Sequence, residues 1–356
     1  MPIRMHNWWW IALLVFSASY FSCKETSTEP INSPILGRRN YTWTTDTLMY
    51  PVSYQTCMNS IYGTSASNVY TCGHNDLNRG MMYHYDGKKW SSVQLTYSEG
   101  GPIQKGINLQ AMHGSGANNI WAVGREGFGE PGTHVIIDSS LVIRFDGNQW
   151  QACEITPGAR GKTLYCVWVL SPTSVWTAGG GGLILHWDGI SWMKYEVGKQ
   201  YFISSIAALS SNEVYAFGHD SDDALPIDSA GSFLFRFDGT NWSKIDSVMR
   251  TPGAPVAHMG TSVYVAQGVL YTTSPNLYRR DGTQWIKLLD AEVGHLCQNA
   301  SNNIVAVGQT AWHYNGVDWK EFIEIRPVLG YDCYTDGNEI FIVGNDGYKT
   351  FIRHGK

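Results

Sequence analysis

The amino-acid sequence predicts an all-β fold, a seven-bladed β-propeller of four-stranded antiparallel blades. A phrase made of an aromatic residue, Asp-Gly and, three positions on, a tryptophan recurs along the chain, as in LILHWDGISW at residues 183–192. Short β-rich runs that end in glycine recur seven times, and no long run has helical periodicity. Repeated units of about 45 residues with four strands each are typical of propellers.

The N-terminal segment precedes the repeats and is predicted to direct export. In residues 1–22, Arg4 stands before a short apolar run from Trp8 to Phe16, and small residues follow. This pattern is typical of a secretory signal peptide, because a membrane-spanning helix needs about 20 apolar residues. The chain is therefore expected to be exported.

Cys23 follows the apolar run directly and resembles the acylated cysteine of the bacterial lipoprotein lipobox, although Tyr20 departs from the usual aliphatic residue. The alternative is ordinary signal cleavage nearby. Residues 23–39 are expected to be the lipidated cysteine and a flexible tether, and the propeller to span 40–356. Lys24 and Glu25 resemble the short signal that sends some bacterial lipoproteins to the outer face of the cell. We therefore expect a lipoprotein of the outer membrane, on the periplasmic or the surface side of that membrane.

Residues 163–197 are the clearest repeat, in which TLYCVWVL, VWTAGG, LILHWDG and ISWMKYEV predict strands a, b, c and d. The same sequence pattern predicts seven b strands, each ending in glycine. They begin at Asn68, Asn119, Ser174, Glu213, Ser262, Asn303 and Glu339.

The two chain termini are predicted to share one blade. The seventh unit ends with TFIRHGK at residue 356, where its fourth strand should begin. Residues 41–49 place Trp43 where the other units have the tryptophan after the turn. We therefore expect residues 41–49 to be the outer strand of the last blade, which closes the ring and removes exposed sheet edges.

The Asp-Gly phrase is predicted to be structural. Asp-Gly between two strands favours a hairpin, since glycine tolerates positive φ and the aspartate oxygen bonds turn amides. The aromatic rings on either side are large enough to fill the wedge between neighbouring blades. We therefore assign the phrase to the scaffold rather than to a ligand site.

The repeats resemble known propeller families. The b-strand glycines, the aromatic-Asp-Gly phrase and the tryptophan are similar to kelch repeats and to the Asp-box hairpin of sialidase-type propellers. The unit is more similar to the VGxxGxILHYDGxxW repeats of exported bacterial propeller lipoproteins. This resemblance covers residues 41–356 and implies the fold but not a particular activity, because propellers include hydrolases, lyases and binding modules.

The predicted topology gathers the d-to-a and b-to-c loops on one face, where the loops vary most in length and composition. Such loops on a rigid scaffold are the usual place for recognition. Their aromatic residues Tyr97, Phe128 and Tyr201 are suited to stacking on sugars or docking a protein. The ligand-binding candidates are His74, Asp76, Arg125, Glu126, Glu130, His134, Tyr201, His219 and Asp220.

Acidic residues cluster in the loop that follows the fourth b strand. Asp220, Asp222, Asp223 and Asp228 offer oxygen ligands for Ca²⁺, but their spacing matches no EF-hand, and a solvated acidic loop is the favoured interpretation. No other cofactor is expected. No spacing selects a pair of carboxylates for glycoside hydrolysis, so no catalytic residue is assigned.

A basic residue stands three positions before each turn glycine in six repeats. We interpret this column as hydrogen bonding from blade to blade near the rim, with a ligand-binding basic ring as the alternative. The residues are His84, Arg144, His186, Arg236, Arg279 and His313.

Six cysteines remain after Cys23, an even number in a chain expected to be exported. Cys57 and Cys72 lie on two strands of one predicted hairpin and are the favoured disulfide. Cys297 and Cys333 occupy one column in adjacent blades, where the spacing between equivalent positions risks being too large. Buried free thiols are the alternative.

The composition excludes some partners and leaves others open. A net charge of -5 and the absence of a Lys/Arg-rich stripe argue against nucleic acid. We expect a monomeric, non-catalytic propeller that binds an envelope protein or a glycan and contacts the membrane through its lipid anchor. The alternatives are a propeller hydrolase or polysaccharide lyase, and an architectural subunit of an envelope complex.

Overall fold

A computed structural model describes residues 36–50, 53–76, 80–104, 106–129, 136–155, 161–220, 231–249, 260, 262–273 and 275–356. These residues form seven four-stranded antiparallel sheets, which confirms the predicted seven-bladed propeller. Among them there is no helix of the length and apolar character needed to cross a membrane. The leader, Cys23 and the tether lie outside the described residues.

Each blade runs from an inner strand beside the central channel to an outer strand at the rim. The inner strands are β2 (Thr56–Ser65), β6 (Ile107–Gly116), β10 (Leu164–Ser171), β14 (Tyr201–Ser210), β18 (Ser262–Ala266), β22 (Val293–Ala300) and β26 (Gly330–Thr335). The second strands are β3 (Asn68–Asn75), β7 (Asn119–Gly129), β11 (Ser174–Gly179), β15 (Glu213–Asp220), β19 (Val269–Thr273), β23 (Asn303–Gly308) and β27 (Ile340–Asn345).

The third and outer strands complete the blades. The third strands are β4 (Gly80–Tyr85), β8 (Ile136–Phe145), β12 (Leu183–Trp187), β16 (Gly231–Phe237), β20 (Leu277–Asp281), β24 (Ala311–Tyr314) and β28 (Thr350–Gly355). The outer strands are β5 (Trp90–Ser92), β9 (Trp150–Ala152), β13 (Trp192–Glu196), β17 (Trp242–Met249), β21 (Gln284–Leu289), β25 (Trp319–Glu321) and, for blade 7, β1 (Trp43–Leu48). Short 3-10 helices occur at Tyr97–Glu99, Gly180–Gly182 and Ile323–Ile325.

The N-terminal strand closes the ring, as predicted. β1 pairs antiparallel with β28 over six residues, from Trp43 opposite Gly355 to Leu48 opposite Thr350. The Trp43 ring packs against Phe322 of blade 6, with ring centroids 5.0 Å apart. Blade 7 therefore holds both ends of the propeller, and β28 has no open edge.

Blade 5 departs from the predicted assignment. The run from Ser262 was expected to be its second strand, but it is the inner strand β18, and β19 is the second. The glycine that seemed to close the strand, Gly268, instead lies in the turn between β18 and β19 with φ +73°. An apolar run ending in glycine has the same appearance in both places, so the sequence pattern did not distinguish them.

The Asp-Gly turns form as predicted. Asp188 Oδ1 accepts hydrogen bonds from the backbone N–H groups of Ile190 (2.8 Å) and Ser191 (2.7 Å). Gly189 has φ +95°, which a residue with a side chain rarely adopts. Blade 6 uses Asn315 in the same way, with bonds of 3.1 and 3.2 Å. The turn aspartates that repeat this pattern are Asp86, Asp146 and Asp238.

The tryptophan after each turn packs against the preceding blade, so the predicted wedge role is confirmed. In four blades its partner is the aromatic residue at one position of the neighbouring second strand. The pairs and centroid distances are Tyr70–Trp150 (6.0 Å), Trp121–Trp192 (5.9 Å), Trp176–Trp242 (5.8 Å) and Phe341–Trp90 (6.4 Å). Among the described residues, seven clusters of buried apolar side chains form, one between each pair of adjacent blades.

The cysteine prediction is wrong about the favoured pair. Cys57 and Cys72 are both free thiols. Cys57 contacts Asn345 of blade 7, whereas Cys72 is buried in the core between blades 1 and 2, so the two thiols face opposite sides of their sheet. The disulfide joins Cys297 and Cys333, whose Cα atoms in adjacent blades are 5.5 Å apart. The inner strands approach closely enough at the channel to allow it.

Candidate functional site

The d-to-a and b-to-c connections share one face, which we call the loop face. The a-to-b and c-to-d turns share the other, the turn face. Much of the variable part of the loop face lies outside the described residues, including Glu130, His134, Asp222, Asp223 and Asp228. The calcium prediction on this loop stays a prediction; within the described ranges no three His, Cys, Asp or Glu side chains converge to hold a metal.

The structure brings His74 and Arg125 together across blades 1 and 2. Burial lowers the pKa of His74, and the positive charge of Arg125 lowers it further, although a backbone hydrogen bond opposes both. Glu126 follows on β7, opposite Ile107 of the inner strand. Three of the predicted ligand-binding residues therefore lie on neighbouring second strands of blades 1 and 2.

Asp76 has a structural role. Its Oδ1 atom accepts hydrogen bonds from the Ser53 hydroxyl at 2.5 Å and from the Gln55 backbone N–H at 3.2 Å. These bonds, the Ser53 bond foremost, lower the pKa of the carboxyl group. Through Oδ1, Asp76 thus fixes the connection between blades 7 and 1, and its part in ligand binding stays a prediction.

The predicted ligand-binding residues of blade 4 lie on the neighbouring strands β14 and β15. Tyr201 lies opposite Asp220, and the ring of His219 contacts Phe202 with centroids 4.8 Å apart. Tyr201 is half-buried, and its ring packs on Phe233 at 4.8 Å. Asp220 Oδ2 accepts a hydrogen bond from the backbone N–H of Gly231 at 3.1 Å.

Tyr97, another aromatic residue predicted to bind, is more exposed than Tyr201: 73% of its surface is accessible on the loop face. The side chain of Phe128 lies outside the described residues.

Four of the six basic residues bond within their own blade, which corrects the predicted bonding between blades. Each of the four bonds the residue that begins the second strand of its sheet. His84 Nε2 lies 2.8 Å from Asn68 Oδ1, and His313 Nε2 lies 2.6 Å from Asn303 Oδ1. At the start of the second strand in their blades, Ser174 bonds His186 and Glu213 bonds Arg236. Arg144 instead lies over the Trp121 ring. These five side chains are engaged within their own sheets, which argues against the alternative of a ligand-binding ring.

The central channel contains a cavity of about 450 Å³ that is lined by residues from all seven blades. In six of the inner strands described here, β18 apart, a β-bulge interrupts the register near the loop-face end. A bulge turns the strand and re-aims its side chains. The bulged residues are Asn59, Gln110, Tyr165, Ser204, Gly294 and Tyr331.

The lining of this cavity has one carboxylate among the described residues, that of Asp332, and no lysine or arginine. Asp332 Oδ2 accepts hydrogen bonds from Ser60 Oγ (2.8 Å) and from the backbone N–H of Ile61 (3.0 Å), so it joins blade 7 to blade 1. His295 Nδ1 is 3.9 Å from Oδ1. Burial raises the pKa of Asp332, and His295 and the hydrogen bonds oppose the rise.

Three exposed tyrosines lie at the loop-face end of blade 7, in the β1–β2 connection, at the start of β26 and in the β27–β28 connection. Tyr54 is 90% exposed, Tyr348 69% and Tyr331 43%. The backbone joins two of their loops, since the N–H of Thr56 donates to the carbonyl of Tyr348 at 2.9 Å. We call Tyr54, Tyr331 and Tyr348 the tyrosine patch. Exposed Leu329 adds an aliphatic side chain next to it in sequence.

Sequence reasoning missed the tyrosine patch and Asp332. The long loops of blades 1, 2 and 4 were the predicted binding residues' location, whereas the patch lies in short connections of blade 7 and between blades 7 and 1. An available signal was the acidic residue Asp332 beside Cys333, which the repeat pattern places in the same strand column as Cys297.

Comparison with known proteins bears on the fold. No family model matches the sequence, and no curated protein matches it. The chain is similar to the solved structure of YCF48 bound to D1 peptide, at 15% identity and a TM-score of 0.59 over 90% of this chain and 99% of that one. It is also similar to YCF48 from Cyanidioschyzon merolae, at 12% identity and a TM-score of 0.52 over 86% and 98% of the two chains.

A third similar structure is the WD40 β-propeller domain of Doa1, at 11% identity and a TM-score of 0.54 over 89% of this chain and 97% of that one. At these identities the likeness shows a common propeller architecture. It does not transfer any residue's role.

Proposed function

We propose that this chain is a non-catalytic binding propeller that recognises a protein partner on the loop face, at the mouth of the channel beside blade 7. The observation that carries the proposal is the tyrosine patch. Tyrosine is enriched at protein interfaces because a rigid ring provides large contact area at low entropic cost and its hydroxyl forms hydrogen bonds. Three exposed tyrosines at the loop-face end of one blade, one of them directly before the cavity-lining Asp332, are suited to this role.

A similar propeller offers a precedent for this mode of binding. The YCF48 structure that this chain resembles was solved with a bound D1 peptide. That precedent supports a peptide or an extended protein segment as the partner of this chain.

The chemistry of the channel favours binding over glycoside hydrolysis. A hydrolase of that kind uses two carboxylates about 5–10 Å apart, one of them positioned as an acid. The described channel lining supplies Asp332 alone, and both of its oxygens already accept hydrogen bonds. Asp332 is therefore better suited to a structural or binding role than to acid catalysis.

The cell envelope is the proposed location, through acylation of Cys23. This part of the proposal rests on the sequence of the leader, whose residues the structure does not describe. Mass spectrometry of the mature N-terminal peptide tests it: we expect a diacylated or triacylated Cys23 and a soluble product from the Cys23→Ala variant. An unmodified peptide that begins elsewhere would refute the anchor but not the binding function.

The binding function is tested by cross-linking the full chain in an envelope preparation and identifying captured proteins. We expect the triple variant Tyr54→Ala, Tyr331→Ala, Tyr348→Ala to lose its specific partner. The matched control is Ile190→Ala with Val317→Ala on the turn face, where both side chains are also exposed. Capture that survives in the triple variant, or that is lost equally in the control, contradicts the proposed site. Capture of glycan alone supports the glycan-binding alternative.

A further inference from the structure

The channel cavity has an unbalanced charge close to the tyrosine patch. Asp332 follows Tyr331 directly, so the exposed ring at the mouth and the carboxylate inside the cavity come from consecutive residues of β26. The side chain of Asp332 retains 18% of its surface accessible. It is therefore reachable from the cavity although it lies within the inner ring of strands.

No cation of this chain neutralises Asp332 within the part that the structure describes. The neighbouring ionisable group is His295, whose Nδ1 is 3.9 Å away. Burial lowers the pKa of His295, and the nearby carboxylate only partly opposes this, so the ring is neutral at pH 7. The three hydrogen bonds to Asp332 come from Ser60, Ile61 and its own neighbour Cys333, all of them neutral groups.

The carboxylate also has unused capacity. Two carboxylate oxygens offer about four acceptor positions, and the donors named above occupy three. A buried charge without a counter-ion is costly, so a cation that enters the cavity gains from both the charge and the free acceptor position.

Aromatic rings line the same cavity and suit a cation. Tyr62, Trp168 and Tyr264 all border it. His113 stacks on Trp168 with centroids 4.5 Å apart and contacts Tyr62 at 5.6 Å, which holds these rings in place. Tyr264 is fixed by its hydroxyl, which donates to the carbonyl of Gly294 at 3.1 Å. Aromatic faces attract ammonium and guanidinium groups.

We propose that the channel is a subsite for one basic side chain, lysine or arginine, of the protein that docks on the tyrosine patch, with Asp332 as its counter-ion. The inference rests on the proposed function and names the chemistry of the partner. The cavity of about 450 Å³ can accept a long side chain while the adjoining backbone stays on the loop face. The incoming charge compensates for the burial that raises the pKa of Asp332.

Short capped peptides test the subsite separately from the whole interface. The probes are Ac-Gly-Arg-Gly-amide, its lysine counterpart and the citrulline analogue, which has nearly the shape of arginine without the charge. Titration calorimetry with the full chain should give an affinity for the arginine peptide about tenfold or more above that for citrulline. The affinity should also fall with added salt. Equal affinity for the two peptides overturns the proposal.

Two variants locate the effect. Asp332→Asn keeps a side-chain oxygen that can accept the bonds from Ser60 and Ile61, and it should remove the preference for arginine over citrulline. Ser204→Trp fills the cavity from the inner strand of blade 4 and should weaken both peptides equally. If Asp332→Asn fails to fold, Ser204→Trp decides: unchanged binding of the arginine peptide in a folded Ser204→Trp variant overturns the subsite.

Failure of the subsite differs from failure of the proposed function. When envelope capture is lost in the triple tyrosine variant but the arginine and citrulline peptides bind alike, the loop-face function stands and the channel subsite is wrong. When capture does not depend on the tyrosines but the charge preference depends on Asp332, the channel binds a cation and the proposed docking face is wrong.

Discussion

Trp150 of blade 2 packs edge-on against Tyr70 of blade 1, with ring centroids 6.0 Å apart and ring planes at 74°. The two residues are 80 positions apart: Tyr70 lies on the second strand of blade 1, and Trp150 begins the outer strand of blade 2. The same contact recurs between blades: the tryptophan after the turn of one blade fills the wedge beside the second strand of the blade before it. Trp150 retains only 4% of its surface accessible.

Trp150→Ala is expected to lower the free energy of unfolding by about 3–5 kcal/mol, because it removes a buried ring and leaves a cavity between two rigid sheets. Denaturant unfolding followed by fluorescence or circular dichroism measures the change. The control Ile190→Ala, at an 87% exposed position, should change stability by less than about 0.5 kcal/mol. Equal effects of the two substitutions would contradict the wedge role.

Asp188→Ala should lower the thermal midpoint, since the turn N–H groups of Ile190 and Ser191 lose their acceptor. Asp188→Asn should retain most of the stability, as Asn315 does in the equivalent turn of blade 6. Gly189→Ala should also destabilise the turn, because its φ is +95° and the new Cβ would lie 2.8 Å from the Thr173 side chain. A thermal midpoint in Asp188→Ala equal to that of the parent protein argues against this account.

The same turns predict a loss of stability in acid. Backbone hydrogen bonds lower the pKa of the turn aspartates Asp86, Asp146, Asp188 and Asp238. A carboxyl group with a depressed pKa in the folded state contributes stability above its unfolded pKa of about 3.9, and that contribution is lost as the pH falls through the folded value. Stability measured from pH 5 down to pH 2 should fall less steeply in a variant with two of these residues changed to Asn.

His113 predicts a second pH dependence at higher pH. Its Nδ1 accepts the backbone N–H of Val169 at 3.0 Å, so that atom carries no proton in the folded state. Burial lowers the pKa of the ring to about 4. Since the unfolded pKa is about 6.5, the unfolded state binds more protons between these values, and stability is full above pH 6.5 and falls toward pH 4. His113→Gln should flatten this slope; an unchanged slope would show that His113 does not contribute.

Deletion of residues 40–50 should lower the denaturation midpoint strongly and promote aggregation. The deletion removes β1, exposes the edge of β28 and takes away Trp43, which packs on Phe322. Light scattering and denaturant unfolding measure the two effects. A deletion of residues 24–34, which keeps β1, is the control and should leave the propeller stable. The prediction fails if both deletions unfold at the same midpoint.

Loss of the disulfide should destabilise the protein by about 2–4 kcal/mol, because the bond restricts the unfolded chain between positions 36 residues apart. The variant is Cys297→Ser with Cys333→Ser, and Cys57→Ser is the control for removing a free thiol. A peptide map without reductant should show Cys297 linked to Cys333. A linked peptide pair containing Cys57 and Cys72 would refute the structure at this point.

The sequence allowed accurate prediction wherever a feature depends on neighbouring residues. Asp188 and Gly189 make a turn through their own bonds and dihedral angles, so the turn and its repetition were predictable. The closing strand was predictable for the same reason, since Trp43 marks a repeat that lacks its first three strands. Blade 5 shows the limit of this approach: the run from Ser262 matched the pattern of a second strand but forms the inner one.

Apart from the tryptophans between blades, contacts made by individual polar side chains were predicted poorly. The basic residues of the third strands were expected to bond across blades, but His84 reaches Asn68, which is in its own sheet. Whether such a side chain bonds its own sheet or the next one depends on the direction in which it leaves the strand. The position of a residue in the repeat does not give that direction. The tyrosine patch was missed because its residues come from distant parts of the sequence that ring closure brings together.

The sequence by itself determined the seven repeats, the hairpin turns and the tryptophan in each blade, because turn chemistry and alternating apolar residues act over a few neighbouring positions. Only the tertiary structure decided that Cys297 bonds Cys333, that Cys57 and Cys72 face apart, and that Asp332 bridges to Ser60 across 272 residues. These relationships depend on the spacing of inner strands around the channel and on bulges that re-aim side chains. Both arise from the packing of complete sheets against one another.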